Sequence, residues 1–380
     1  MLSYIKVTTT SNNSDWSVER NVYQDAKNKV SEIHEKEILE FSQTIQSAVV
    51  VTDFTEPLSH ETEYPISTLN LDEILIKNKA IGLNPVDWKC KKFKFGMYHF
   101  PWINGRESSG YVVKQHGEEK DLIDERVIVA STSYRDNRTS TFQEYTVMNK
   151  RLVWKLPSHI TFEDGATIGV GLVTAGVVLL KSFQLDFTKR YRGESLLIWG
   201  GSTVVGMYLT QLAKILGLTV ISIASKKNRD YLINEIGADI VIDRNNDLDT
   251  ILKKIYADKR SIAFGVDCFS KETSLSVIDI LGDKKNRILK PAQFVGIVSH
   301  PKTSNQPNVI IKEIAIKQFH EDLDFGESFV KLTSKFLETG LVKPIRTKVF
   351  EGDLGTVSKA LDVLQKQGAS GSKYVVSLKN

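Results

Sequence analysis

The sequence predicts an α/β protein, with a doubly wound parallel sheet following a β-rich domain. Three observations predict it. An apolar run, Ser195–Trp199, leads directly into Gly200-Gly201-Ser202-Thr203-Val204-Val205-Gly206. Beyond that turn Tyr208, Leu209, Leu212, Ala213 and Leu216 recur at helical spacing until Gly217 stops the pattern. Short apolar runs then alternate with helical patterns as far as Val298, whereas the stretch before the turn reads as short strands punctuated by Gly, Asp and Pro.

The elements run in this order. Residues 1–46 form a polar extension; residues 24–41 suit a charged helix with a thin apolar stripe of Val30, Ile33, Ile38 and Phe41. Strands are expected at 48–52, 73–77, 80–85, 111–113, 126–130 and 142–147, and a helical bridge at 161–182. Strand Ser195–Trp199, the glycine turn, its helix and strand Thr219–Ala224 make a βαβ unit of about 30 residues. Further buried strands are expected at 240–242, 263–267 and 293–298, with helices centred on Leu252, Val277 and Leu281. Two helices, 329–339 and 354–367, and a closing strand Lys373–Leu378 complete the chain.

Composition narrows the function. The chain has 380 residues, 41% hydrophobic and 25% charged, which is ordinary for a globular protein of two or three domains. A net charge of +4, without a long basic run, argues against a nucleic-acid partner. Cys90 and Cys268 are too few and too far apart for a disulfide framework or a Cys-rich zinc lobe. No basic head with an apolar core opens the sequence, and acidic residues are frequent early. A secretory or mitochondrial leader is therefore not expected, and the location is read as cytoplasmic, with the nucleus open. The uncharged residues 165–180 are too few and too glycine-rich for a membrane span and read as a buried helix.

In a βαβ unit, a glycine turn lets backbone N–H groups and the helix N-terminus face a pyrophosphate. Gly201, Ser202, Thr203, Val204 and Val205 are the residues expected there. Thr203 stands where a central glycine is usual; its hydroxyl and that of Ser202 compensate by bonding phosphate oxygens. The strand end reads Ala224-Ser225-Lys226-Lys227-Asn228-Arg229, with no carboxylate before Asp230. A ribose diol calls for a carboxylate at that place. Ser225, Lys227 and Asn228 suit a 2′-phosphate instead, so NADPH is favoured over NADH. Ordinary solvated charges at a helix start are the alternative.

Several separated motifs carry a resemblance: Gly82-Leu83-Asn84-Pro85-Val86-Asp87-Trp88-Lys89, Gly105-Arg106-Glu107-Ser108-Ser109-Gly110, Thr141-Phe142-Gln143-Glu144-Tyr145, Thr174-Ala175-Gly176 and the glycine turn. Over residues 47–380 the chain resembles the zinc-independent branch of the medium-chain dehydrogenase/reductase superfamily. The fungal toxD-type and quinone-oxidoreductase-like members are most similar. The resemblance implies a GroES-like catalytic domain from 47–172 and 323–380 and a Rossmann domain at 173–322, with cofactor and substrate between them. It implies no zinc: the loop that would carry the first ligand, Gly82 to Asp87, has neither Cys nor His.

The resemblance also implies site residues. Tyr98 is the leading proton donor, with loop packing as its alternative role. Asn84 and Lys89 are the other candidates, although Asn84 equally suits a loop cap and Lys89 a solvated charge. Thr174 falls near the nicotinamide, and Val295, Gly296 and Ile297 at the strand-end loop that meets the carboxamide. Lys373 falls near the cofactor or on the surface. The implied activity is NADPH-dependent reduction of activated C=C or C=O bonds in a small electrophile: an enal, enone, quinone or aldehyde. The alternatives are a catalytically silent binding or sorting factor and a trans-acting enoyl reductase of a polyketide synthase. A monomer or homodimer is expected.

Overall fold

The structure is a computed structural model that describes residues 44–117, 121–258 and 260–379. The expected extension, apart from its last residues, lies outside the described residues. Strand β1 (Ile45–Val51) opens the described chain, so the folded body begins before residue 47. Gln46 is buried, and its amide donates to Gln143 Oε1 at 3.0 Å.

The β-rich half contains β1, β2 (Ser59–Pro65), β3 (Glu73–Gly82), β4 (Trp102–Ile103), β5 (Glu107–Gln115), β6 (Arg126–Ala130), β7 (Tyr145–Asn149) and β8 (Trp154–Lys155). Strands β2, β1 and β4 form a three-stranded antiparallel sheet. The larger sheet runs β15-β16-β3-β5-β6-β8, with β7 also on β3; β15 is Thr347–Gly352 and β16 is Lys373–Leu378. Strands β3 and β5 approach so closely that a Cβ on Gly110 would lie 2.0 Å from the Lys77 carbonyl oxygen. Glycine is required there.

The second half is a six-stranded parallel sheet: β9 (Ser195–Trp199), β10 (Thr219–Ala224), β11 (Ile240–Asp243), β12 (Ile262–Asp267), β13 (Ala292–Gly296) and β14 (Val309–Ile311). The order is β11-β10-β9-β12-β13-β14. Its direction of travel reverses at β9, which creates a crevice at the strand C-termini beside β12. Both faces of these strands are covered, so Leu196, Leu197, Ile198, Val220, Ile221 and Ile223 are all fully buried.

Three helices place the site. Helix α1 (Pro85–Lys92) replaces the loop expected after Gly82. Asn84 stands at its N-cap, Pro85 opens it, and Asp87 Oδ2 accepts the Asn84 N–H at 2.7 Å. Helix α2 (Gly169–Val177) packs on α3 (Val204–Ile215), and Gly171 permits the approach, since a Cβ there would meet Val204 Cγ1 at 2.6 Å. Residues Phe162–Ser182 are long and apolar enough to cross a membrane by composition alone. In this fold 89% of their most apolar window is buried inside the protein.

Candidate active site

The glycine turn links β9 to α3. Thr203 caps α3, its hydroxyl accepting the Gly206 N–H at 3.1 Å. That hydroxyl also donates to the Gly200 carbonyl at 2.7 Å. Gly201 has no room for a side chain: a Cβ would lie 1.5 Å from Ser222 Oγ. Ser202, Thr203, Val204 and Val205 are all half-exposed, so the first turn of α3 presents N–H groups to an open side.

The far end of the chain reaches this turn. Gly371 donates its N–H to the Ser202 carbonyl at 3.1 Å. Two residues later Lys373 enters β16 with its ammonium buried. It donates to Asn84 Oδ1 at 2.7 Å and pairs with Glu107. Glu107 Oε1 also accepts from Asn84 Nδ2 at 2.7 Å, and Oε2 accepts the Val170 N–H at 3.0 Å. Val170 lies in the first turn of α2, where the helix dipole favours negative charge. Every strong donor and acceptor of this buried trio therefore has a partner of opposite character. Beside it lies Asp87, where burial pushes the carboxyl up to about 7; the Asn84 N–H, Arg106 and Lys373 oppose that rise and Glu107 reinforces it.

At the strand end, Ser225 and the exposed Lys227 follow β10. Asn228 is buried; its amide donates to Ser225 Oγ at 3.2 Å, and its oxygen lies where a Cβ on Gly371 would intrude. The carboxylate in register with the end of β10 is Asp243 on β11, and it already accepts the Asn245 N–H at 3.0 Å. The next residue, Arg244, is exposed and donates its backbone N–H to the Ala224 carbonyl at 2.9 Å. Arg244 thus adds a fourth cationic residue at the strand end, after Lys226, Lys227 and Arg229, and one that lies outside that local motif.

The remaining candidates divide. Asn84 does sit at a cap, but its side chain turns to Glu107 and Lys373. Lys373 is buried, which removes the surface reading of that residue. Thr174 is buried in α2, its hydroxyl bonded to the Val170 carbonyl at 2.7 Å. Val295 and Gly296 end β13 buried, and the Ile297 N–H donates to the Asp267 carbonyl at 2.8 Å. Lys89 stays outside the trio, with its ammonium 5.7 Å from the centroid of the Trp88 ring. Tyr98 is 58% exposed, and its ring meets Trp102 edge-on at 5.8 Å. Glu107 and Asp87 lay inside quoted motifs without being singled out. A carboxylate among small and apolar strand residues was the available signal for Glu107.

Comparisons with known proteins agree with this architecture. A family profile described as "Alcohol dehydrogenase GroES-like domain" matches residues 70–158. Another, described as "Zinc-binding dehydrogenase", matches residues 204–332, which fall on the parallel-sheet half. The trans-enoyl reductase pvhC of Talaromyces variabilis is 30% identical over 363 residues, covering 89% of this chain and 98% of its own. A trans-enoyl reductase of Gibberella fujikuroi is 28% identical over 360 residues, covering 88% and 99%. Among solved structures, mycobacterial Rv1454c complexed with NADPH superposes with a TM-score of 0.68 at 22% identity, over 87% of this chain and 99% of that one. A quinone oxidoreductase of Pseudomonas syringae superposes with a TM-score of 0.70 at 18% identity, over 88% and 100%. The chain is an oxidoreductase that belongs to the medium-chain dehydrogenase/reductase superfamily, on its zinc-independent branch.

Proposed function

We propose that the chain is an NADPH-dependent reductase of carbon–carbon double bonds conjugated to a carbonyl. The observation that carries this reading is the bond from Gly371 to Ser202. It ties β16, whose Lys373 bonds Glu107 and Asn84, to the turn that suits a pyrophosphate. The enoyl substrate is favoured over a quinone because relatives that match nearly the whole chain, pvhC among them, are named trans-enoyl reductases.

The residues fit a dinucleotide. Gly201 lacks room even for a methyl group, so only bare backbone lines that part of the turn. Ser202, Val204 and Val205 would hold the pyrophosphate, and Ser225, Lys227 and Arg244 a 2′-phosphate. The hydroxyl and N–H of Thr203, expected at the phosphates, both donate to the Gly200 carbonyl and shape the turn instead. Asn228 supports Ser225 rather than reaching outward. Val295, Gly296 and Ile297 would meet the carboxamide, with Thr174 behind the ring. When bound, the cofactor supplies a hydride equivalent.

The chain's own residues then have two tasks. The Lys373–Glu107–Asn84 trio fixes the floor, because a buried, fully bonded ion pair resists displacement. Tyr98 carries an exposed phenol that can give a proton to the substrate carbon or hold a developing negative oxygen. We propose as well that no zinc takes part. Among the described residues no three His, Cys, Asp or Glu side chains converge, and Glu107 is already neutralised by Lys373.

The test is a fluorescence titration with NADPH and NADH, followed by a panel of enals, enones, quinones and aldehydes scored for NADPH oxidation. Tighter binding of NADPH, fastest turnover of enals or enones and indifference to chelators are expected. Cofactor binding without oxidation by any of the panel would instead support the silent binding factor.

A further inference from the structure

Arg106 is fully buried, and none of its three guanidinium nitrogens has a hydrogen-bond partner. A guanidinium keeps its charge in proteins. Burying it without a partner costs several kcal/mol, and native structures rarely leave such a group unsatisfied. The Tyr134 ring lies over it, with the centroid 4.5 Å from Cζ. A π face offsets part of the desolvation but accepts none of the in-plane N–H groups.

The neighbourhood is short of partners in the same way. Trp102 Nε1, Asn104 Oδ1 and Asp87 Oδ1 are buried and unpartnered. Asn104 Nδ2 donates to the Asp87 carbonyl at 2.9 Å, which clamps the segment before β5 to helix α1. Asp87 lies within electrostatic reach of Arg106, Lys373 and Glu107 alike, so this group of atoms is near the Lys373 ion pair. Its donors outnumber its acceptors: five guanidinium N–H groups and one indole N–H stand against two oxygens. An electron-rich oxygen is the complementary ligand.

We propose that Arg106 binds the carbonyl oxygen of the substrate, with Asp87 and Trp102 shaping that site. The proposal rests on the enoyl reductase reading. As a hydride equivalent from the nicotinamide adds to the β-carbon, the C=C pair shifts toward the carbonyl carbon and the C=O pair moves onto oxygen. Arg106 holds that enolate oxygen. A proton then reaches the α-carbon from Tyr98 or water, and the carbonyl re-forms. A fixed cation aimed at the oxygen lowers the barrier because negative charge grows on that atom between the ground state and the transition state, on the way to the enolate. The Tyr134 ring covers the guanidinium, so that ring must move aside before a ligand reaches Arg106. Below about pH 7 the buried Asp87 carboxyl is protonated and adds another donor.

The test uses crotonate, a small unsaturated carboxylate, titrated by calorimetry into the full chain saturated with NADP⁺. Wild type, Arg106→Met and Arg106→Lys are compared, together with NADPH affinity, melting temperature and kcat/KM for crotonaldehyde. Arg106→Met should weaken crotonate roughly 10–100-fold, the loss of a hydrogen bond to a charged group, with NADPH affinity unchanged. Arg106→Lys, which keeps charge but not the fork, should fall between. Failure of the wild type to bind crotonate, or equal binding by both variants, overturns the proposal and leaves a water-filled cluster. If Arg106→Met does not fold, wild-type affinity in Arg106→Lys overturns it. If crotonate binds through Arg106 while no enal oxidises NADPH, the reductase reading fails and the oxygen site stands. If enals are reduced equally well by wild type and variants, the reverse holds.

Discussion

Gly371 and Ser202 are 169 positions apart in sequence, yet the N–H of one meets the carbonyl of the other at 3.1 Å. The turn and the C-terminal strand are therefore built as one piece. Gly371 has φ +82°, and a Cβ there would come within 2.7 Å of Asn228 Oδ1. Gly371→Ala should cost about 1–3 kcal/mol of stability and weaken NADPH. Thermal melting with a fluorescence titration checks both. NADPH affinity equal to wild type would show that the turn does not depend on this contact.

Lys227→Glu should discriminate between cofactors. Loss of a charge-assisted phosphate contact costs about 1.5–3 kcal/mol, so NADPH should weaken roughly 10–150-fold and NADH little. Parallel titrations measure this. Equal losses for the two cofactors would remove Lys227 from the 2′-phosphate site, and Arg244→Glu would be the next variant to measure.

Lys373→Met leaves Glu107 buried beside an uncharged chain. Breaking one side of such a pair costs about 3–5 kcal/mol. The double variant with Glu107→Met should recover much of that loss, because both charges are then gone. Urea unfolding of the two proteins gives the comparison, and a double variant no more stable than Lys373→Met contradicts the ion-pair account.

Burial holds the Asp87 carboxyl protonated in the folded chain up to about pH 7, whereas an unfolded aspartate ionises near 4. Between those values the folded state binds the extra proton. The Asp87 contribution to stability therefore falls as pH rises from about 4 to about 7 and is level above. Asp87→Asn removes that slope, so the variant should gain on wild type across the interval. Melting temperatures from pH 4 to 8 record the difference, and a constant gap rejects the assignment.

Tyr98→Phe deletes one phenol donor while keeping the ring against Trp102. Turnover of the best enal should drop roughly 10–1000-fold with NADPH affinity unchanged. Wild-type turnover on every substrate would leave Tyr98 a packing aromatic, which its exposure also permits.

The parallel sheet was legible because its strands are covered on both faces. Runs such as Ser195–Trp199 and Thr219–Ala224 are continuous and apolar, and the observed bounds coincide with those expected. Edge strands were legible only where they are apolar, as β11 is. Strand β2 reads Ser-His-Glu-Thr-Glu-Tyr-Pro and is largely exposed, so it has no apolar rhythm to find. Helix α1 was read as a loop although Asn84, Pro85 and Asp87 spell a helix start. Its short, lysine-rich body hid the period. In the site, Asn84 and Lys373 were named separately, but the Lys373–Glu107 bond spans 266 positions. No local spacing encodes such a pair; only the pairing of β16 with β3 and β3 with β5 brings it together.

That pairing fixes an order of events in synthesis. Strand β16 lies between β15 and β3, yet its residues leave the ribosome after the entire parallel sheet. Until they arrive, Ala80, Ile81 and Gly82 present an unpaired strand edge, and Glu107 lacks its cation. The half of the protein that begins first is therefore the half that closes last, and the nascent chain must protect an open β-edge in the interval.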